Sequence, residues 1–141
     1  MRLAWVKMMT SKPGNSLLEA QKEWAYQKYW VMAHSQQHYN ALRQLFKGNE
    51  WSEEKYELFK QLILEAQAIS PSEKTLRVAY QHIWGYFKKQ ATSDELAIYK
   101  SLEASLATSS LEMLIFLKRL AEKYQVTYLL ASRIIQKGYK K

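Results

Sequence analysis

The chain has 141 residues and a formal net charge of +8, and 48% of its residues are hydrophobic while none is cysteine. This length and apolar content predict one domain with its own core, and the scarcity of glycine and proline predicts helices. The absence of cysteine excludes disulfides, thiolate zinc sites, cysteine nucleophiles and iron–sulfur clusters held by cysteine. No apolar run reaches the ~18 residues of a membrane-spanning helix, so we expect a cytoplasmic, all-α protein without membrane contact.

The positive charge is concentrated at the two ends of the chain. Residues 1–12 carry a net charge of +3, residues 13–117 carry −1, and residues 118–141 carry +6. This distribution suits a polyanion such as nucleic acid or an anionic partner protein, and equally a surface that is merely solvated. We expect residues 1–14 to form a basic arm, residues 15–138 a helical domain and residues 139–141 a basic tail.

The predicted helices follow from capping and breaking residues. A capping box at Ser16–Glu19 begins the first helix, which meets no breaker before Gly48 and should therefore be long. Ser52 and Ser72 are predicted N-caps, the second of a central helix over about residues 73–90, and Thr92–Glu95 is another capping box. Further breaks are predicted at Thr108–Ser110, at Tyr124–Val126 before Thr127, and at Gly138. The result is a bundle of about five to six helices.

The segment Tyr80–Lys89 combines aromatic, basic and amide side chains around Gly85 in what should be a single helix. Its apolar side would consist of Ile83, Trp84 and Phe87. Its other side would present Val78, His82, Tyr86 and Lys89. A glycine beside such side chains allows close approach of a ligand or a second backbone. The alternative is a core helix whose lysines suit the helix dipole.

The three histidines support more than one interpretation. His34 and His38 lie one helical turn apart, and His82 could complete a metal site with three nitrogen ligands. Hydrogen-bonded histidines that link two helices are an alternative, as is a polar groove shared with Ser35 and Gln81. The sequence contains no phosphate loop, nucleophile elbow or kinase signature, and it gives no positive argument for an enzyme.

Two segments resemble the signatures of one family. His34–Tyr39 reads His-Ser-Gln-Gln-His-Tyr and resembles the pattern HSQKHY, while Gln81–Lys89 resembles the pattern QHI-x-GYFK-[KR]. Both belong to the YbgA-like family, also called domain of unknown function 1722, and the resemblance covers about residues 24–128. It departs from the family near Ser110–Leu114 and in the tail, which lacks the family's prolines.

The resemblance implies a binding role. Members occur alone, the form expected here, and fused behind an iron–sulfur domain that resembles thiouracil desulfidases. In the fusions the helical part is taken to bind tRNA and present a thiolated uridine. Without cysteine, this chain could not carry that desulfidase chemistry itself. The resemblance therefore implies an accessory role in thiouridine or tRNA metabolism, possible partners being tRNA, another structured RNA or a separately encoded desulfidase-type enzyme.

Our first hypothesis is an RNA-binding helical module without catalysis or a cofactor of its own. Lysine and arginine would contact phosphates, and tyrosine would stack on unpaired bases. The alternatives are a protein-interaction subunit that docks on a separate enzyme and, third, a small histidine-based metal protein or enzyme. The predicted RNA- or partner-binding residues are His34, Gln36, His38, Tyr39, Arg43, Gln81, His82, Tyr86, Lys88 and Lys89.

Overall fold

The computed structural model describes residues 16–139. These residues form eight α-helices and no strand, in agreement with the all-α prediction. The predicted arm and residues 140–141 of the predicted tail lie outside the described residues. The helices are α1 (Leu17–His34), α2 (Gln36–Leu45), α3 (Glu53–Gln67), α4 (Glu73–Trp84), α5 (Ser93–Ala104), α6 (Leu106–Lys123), α7 (Thr127–Leu130) and α8 (Arg133–Lys137), with a 3-10 turn at Lys47–Asn49.

Helix α1 lies at the centre of the bundle. It contacts α2, α3, α4 and α8, while α6 packs against both α4 and α5. Fully buried side chains from four helices meet in the core, among them Met32, Phe59, Ile83 and Leu117. Among residues 16–139, no helix is long and apolar enough to span a membrane.

The first helix is long, with 18 residues, but it does not run without a break to Gly48 as predicted, because the chain breaks at Ser35. This residue has extended backbone angles, φ −159° and ψ 114°, and separates α1 from α2. Its backbone N–H still bonds to the carbonyl of Val31, while its hydroxyl oxygen accepts from the backbone N–H of His38. Ser35 therefore closes one helix and caps the next. Serine is a common N-cap, and this was the sequence signal for the break. It was overlooked because no glycine or proline interrupts the chain before Gly48.

The central helix is also shorter than predicted. Helix α4 has the expected capping box at Ser72 but ends at Trp84, and residues 85–90 form tight turns. There the N–H groups of Tyr86 and Phe87 bond three residues back, to Ile83 and Trp84. Gly85 is a poor helix former at this end, and the tighter winding keeps Phe87 in the core. Consequently, Lys88 and Lys89 follow the helix instead of occupying its last turn.

Serines alter two further predicted boundaries. Helix α6 begins at Leu106 and kinks at Ser109, where a connector was predicted, because the Ser109 hydroxyl bonds to the carbonyl oxygens of Leu102 and Ser105. The last helix is divided into α7 and α8 at Ser132, whose hydroxyl bonds to the carbonyl of Leu129. Serine hydroxyls compete in this way with the helical backbone. The predicted caps at Ser16, Ser52 and Thr92 are confirmed.

Candidate functional site

His34 is part of the packed interior. Its side chain is 1% exposed and stacks on Trp30, with ring centroids 3.8 Å apart. Its Nδ1 lies 2.6 Å from the carbonyl oxygen of Ile69, just beyond the end of α3. Since a carbonyl can only accept, Nδ1 carries the proton and donates it. His34 therefore ties α1 to the end of α3, as the interpretation of linking histidines expects.

His38 makes a second link to the same helix. Its Nε2 lies 3.0 Å from a carboxylate oxygen of Glu65, and its Nδ1 lies 2.7 Å from the hydroxyl of Ser35. Hydrogen bonds from Gln61 and His38 lower the pKa of Glu65, so this carboxyl stays ionised and accepts from Nε2. In the neutral imidazole, Nδ1 then accepts from the Ser35 hydroxyl. We call His34, Ser35, His38 and Glu65 the histidine side.

His82 is separate from the histidine side. It is exposed on α4, and its Nδ1 lies 2.9 Å from the carbonyl oxygen of Val78 one turn earlier. By the same argument Nδ1 donates, which leaves Nε2 as an acceptor toward solvent when the ring is neutral. No group of three metal-binding side chains occurs between residues 16 and 139, so the three-nitrogen metal site, one of the alternative interpretations of the histidines, is not formed.

A cluster of four tyrosines occupies the opposite face of α1. The hydroxyls of Tyr29 and Tyr86 are 2.9 Å apart, and the rings of Tyr86 and Tyr128 stack at 5.9 Å with an interplanar angle of 22°. Tyr39 lies close enough to influence the pKa values of Tyr29 and Tyr128. Tyr29 is buried, Tyr39 and Tyr86 are half-buried, and Tyr128 is 37% exposed. We call these four residues the tyrosine side.

Tyr29 and Tyr128 are uncharged at neutral pH. Burial, followed by the hydrogen bond with Tyr86, raises the pKa of Tyr29 above its ordinary value. Burial also raises the pKa of Tyr128, and the neighbouring hydroxyls of Tyr86 and Tyr39 add to this. These two side chains are therefore neutral aromatic rings with hydroxyl donors, and they do not repel anions.

Basic side chains lie beside the tyrosines. The ammonium of Lys28 is 5.6 Å from the centroid of the Tyr29 ring, and Lys88 and Lys89 are exposed just after Tyr86. On the histidine side, by contrast, α3 carries four glutamates and two lysines. Residues 16–139 contain 16 basic and 13 acidic side chains. The positive excess therefore lies away from α3.

The structure brings together only some of the predicted binding residues. His82 and Tyr86 lie against Tyr29, with ring centroids 6.4 Å and 6.1 Å from that of Tyr29, while the Tyr39 ring lies 5.7 Å from that of Trp24. Arg43 is exposed one turn after Tyr39 and lines a small groove with Lys47. The others point elsewhere: His34 and His38 contact α3, Gln36 bonds to Asn40, and Gln81 donates to Glu103 on α5.

Sequence reasoning missed Tyr29 and Tyr128. Tyr29 was not among the predicted binding residues, although a buried tyrosine needs a partner for its hydroxyl. That requirement could have indicated a second polar aromatic residue opposite it. Tyr128 gives no comparable signal, because it reaches Tyr86 from a helix far away in the chain.

The protein is thus a small helical domain in which both signature segments contact α1: the first begins at its last residue, His34, and the second contacts its Tyr29. The model of the DUF1722 family, described as a protein of unknown function, matches residues 28–137. This range is most of the chain, and the chain belongs to that family. No curated protein and no solved structure matches it.

Proposed function

We propose that this protein binds RNA and that the tyrosine side contacts unpaired bases. The observation that carries the proposal is the stacked pair of Tyr86 and Tyr128, which is open to solvent through Tyr128. Lys28 lies over the neighbouring Tyr29 ring, and Lys88 and Lys89 follow Tyr86 in the chain. Single-stranded nucleic acids bind to such combinations of aromatic rings and cations.

The chemistry of the surrounding groups supports this proposal. The hydroxyl of Tyr128 is protonated and can donate, while the Nε2 of His82 faces solvent and accepts whenever the ring is neutral. An unpaired base presents both donors and acceptors on its edge, so these groups can contact it while a ring stacks on its face. Lys28, Lys88 and Lys89 supply the positive charge that a phosphate backbone requires.

The family resemblance makes tRNA the first RNA to test. On this proposal the protein acts as an accessory to tRNA or thiouridine metabolism, without catalysis of its own. It would hold an unpaired nucleotide in place for a separately encoded desulfidase-type enzyme. The loops of tRNA contain unpaired bases, which the tyrosine side would require and which a plain duplex does not offer.

The test is a titration of fluorescently labelled bulk tRNA at several salt concentrations. Loss of one base–aromatic stack costs ~1–3 kcal/mol, so Tyr128→Ala should weaken binding by roughly 5- to 150-fold. Tyr128→Phe keeps the ring and should retain most of the affinity. Circular dichroism checks that both variants fold, as expected for a residue that is 37% exposed. If Tyr128→Ala binds as tightly as the wild type, the proposal fails.

A second candidate function is docking on a partner protein. Helix α6 exposes Leu111 and Ile115, which are 52% and 44% accessible and one turn apart on the same face. Exposed apolar neighbours can mark a contact with another protein. This function predicts that one identified protein co-purifies stoichiometrically after nuclease treatment and is lost in Leu111→Glu/Ile115→Glu. Retention of that protein by the double variant would reject this surface.

A further inference from the structure

A groove of about 500 Å³ opens on the other side of the turn that carries Tyr86. It lies between residues 84–91 and the beginning of α5. Two lysines, two hydroxyl residues and three apolar residues line it, namely Lys88, Lys100, Thr92, Ser93, Trp84, Ala91 and Leu96. Lys88 is one of the predicted binding residues, whereas Lys100 is not. The groove brings these two cations together from segments twelve residues apart.

The charges of the groove lysines are uncompensated. Within the part of the chain that the structure describes, neither Lys88 nor Lys100 has a carboxylate partner. The nearby carboxylate of Glu95 is already held by Lys123, at 2.6 Å, and by the hydroxyl of Tyr124, also at 2.6 Å. These bonds, together with the N–H of Thr92, lower the pKa of Glu95 to about 2. Glu95 therefore has its own cation and does not neutralise the groove.

The groove and the tyrosine side are linked by a very short segment of the chain. Only Phe87 separates Tyr86 from Lys88, and two residues span at most about 7 Å. The side chain of Phe87 is buried, so it does not stand between the two surfaces. A strand with a base stacked at Tyr86 and Tyr128 can therefore place a neighbouring phosphate at Lys88.

We propose that this groove binds the phosphates of the nucleotides adjacent to the stacked base, with Lys88 and Lys100 as the phosphate-contacting residues. The inference rests on the proposed RNA-binding function and adds the course of the strand across the surface. The half-exposed Leu96 lines the groove together with both lysines and gives the ribose an apolar contact. Phosphate contacts position a strand without reading its sequence, so the groove should act equally on every RNA that the tyrosine side accepts.

The salt dependence of binding tests this inference. For single strands, each neutralised phosphate contributes roughly 0.7 to the slope of log affinity against log salt. The variant Lys88→Gln/Lys100→Gln should therefore lower the slope by about 1.4 and weaken tRNA binding at low salt. A matched control is Lys22→Gln/Lys74→Gln, which removes the same charge from exposed lysines on α1 and α4 outside the groove. The control should change the slope far less.

The outcomes separate this inference from the proposed function. If Tyr128→Ala loses affinity but the two lysine pairs change the slope equally, the groove inference is wrong while RNA binding stands. If Tyr128→Ala has no effect, the proposed function fails first. A peptide of glutamates around one leucine serves as the competing probe in NMR titrations. Should its shifts map to the groove while the groove variant leaves the RNA slope unchanged, the groove binds acidic protein segments and the inference is overturned.

Discussion

The histidine side and the tyrosine side both contain polar ring side chains, but only the histidine side has most of its hydrogen-bonding groups paired within the protein. On the histidine side, His34 is buried and His38 bonds at both ring nitrogens, so their hydrogen-bonding capacity is spent on holding α1 and α2 against α3. On the tyrosine side, Tyr29 and Tyr86 satisfy each other's buried hydroxyls, but Tyr128 and His82 remain open to solvent. The difference lies in how many partners the protein itself supplies.

This comparison changes what the two signature segments mean. The first segment, His34–Tyr39, is mainly a structural device, because its serine ends one helix and its histidines fix the crossing to α3. Only its last residue, Tyr39, belongs to the tyrosine side. The second segment, Gln81–Lys89, supplies exposed groups around a rigid buried pair of aromatics. A residue in a family signature can therefore serve folding as readily as binding.

The largest predicted effect separates the histidines. His34→Ala removes a buried hydrogen bond to Ile69 and the stack on Trp30, and should cost about 3 kcal/mol of unfolding free energy. His82→Ala acts at an exposed position and should change it by less than about 0.5 kcal/mol. Urea unfolding of both variants measures the difference. Equal losses of unfolding free energy would contradict the assignment of His34 as a structural residue and of His82 as an exposed one.

A smaller effect is expected at the break between α1 and α2. Ser35→Ala removes an N-cap and also the hydroxyl that bonds to His38, so it should cost about 2 kcal/mol. Ser52→Ala removes a cap without such a second bond and should cost about 1 kcal/mol. The same unfolding measurement compares them. If Ser52→Ala proves as costly as Ser35→Ala, the bond to His38 contributes nothing.

The smallest predicted effect is on the pH dependence of the unfolding free energy. Hydrogen bonds hold the pKa of Glu65 and that of Glu95 below the ordinary value of 4.5, the latter at about 2. Since the folded pKa is the lower one, each carboxylate stabilises the protein above about pH 4.5 and loses this contribution as the pH falls toward the folded pKa. Glu95→Gln should therefore flatten the fall in unfolding free energy between pH 5 and 2. Glu65→Gln should flatten it less, and the reverse order would contradict these assignments.

Much of the fold follows from local sequence signals, and the errors have a common cause. The caps at Ser16, Ser52, Ser72 and Thr92 follow breakers or precede acidic residues, so they are recognisable in isolation. Ser35 lies in a stretch that reaches Gly48 without a glycine or proline, and only the contacts with α3 reveal why the helix stops there. Helix propensity and periodicity describe residues within one helix. This break is stabilised by contacts with a different helix, α3, which they do not describe.

The candidate site was harder to predict for the same reason. The signature residues Tyr39, His82 and Tyr86 are visible in the sequence, but Tyr29 and Tyr128 join them through packing of α1, α4 and α7. Lys100 reaches the groove through the packing of α5 beside the turn after α4. Contacts between residues this far apart in the chain leave no period or spacing to detect.

The most direct test of the account compares one exposed residue from each signature region in tRNA binding. Tyr128 stacks on Tyr86 of the second segment, whereas Gln36 of the first segment is exposed and bonds only to Asn40 in its own helix. Tyr128→Ala should weaken binding by roughly 5- to 150-fold, because it removes a stacking ring. Gln36→Ala should leave the affinity unchanged. A loss with Gln36→Ala and none with Tyr128→Ala would contradict the account, since it would place the RNA on the histidine side.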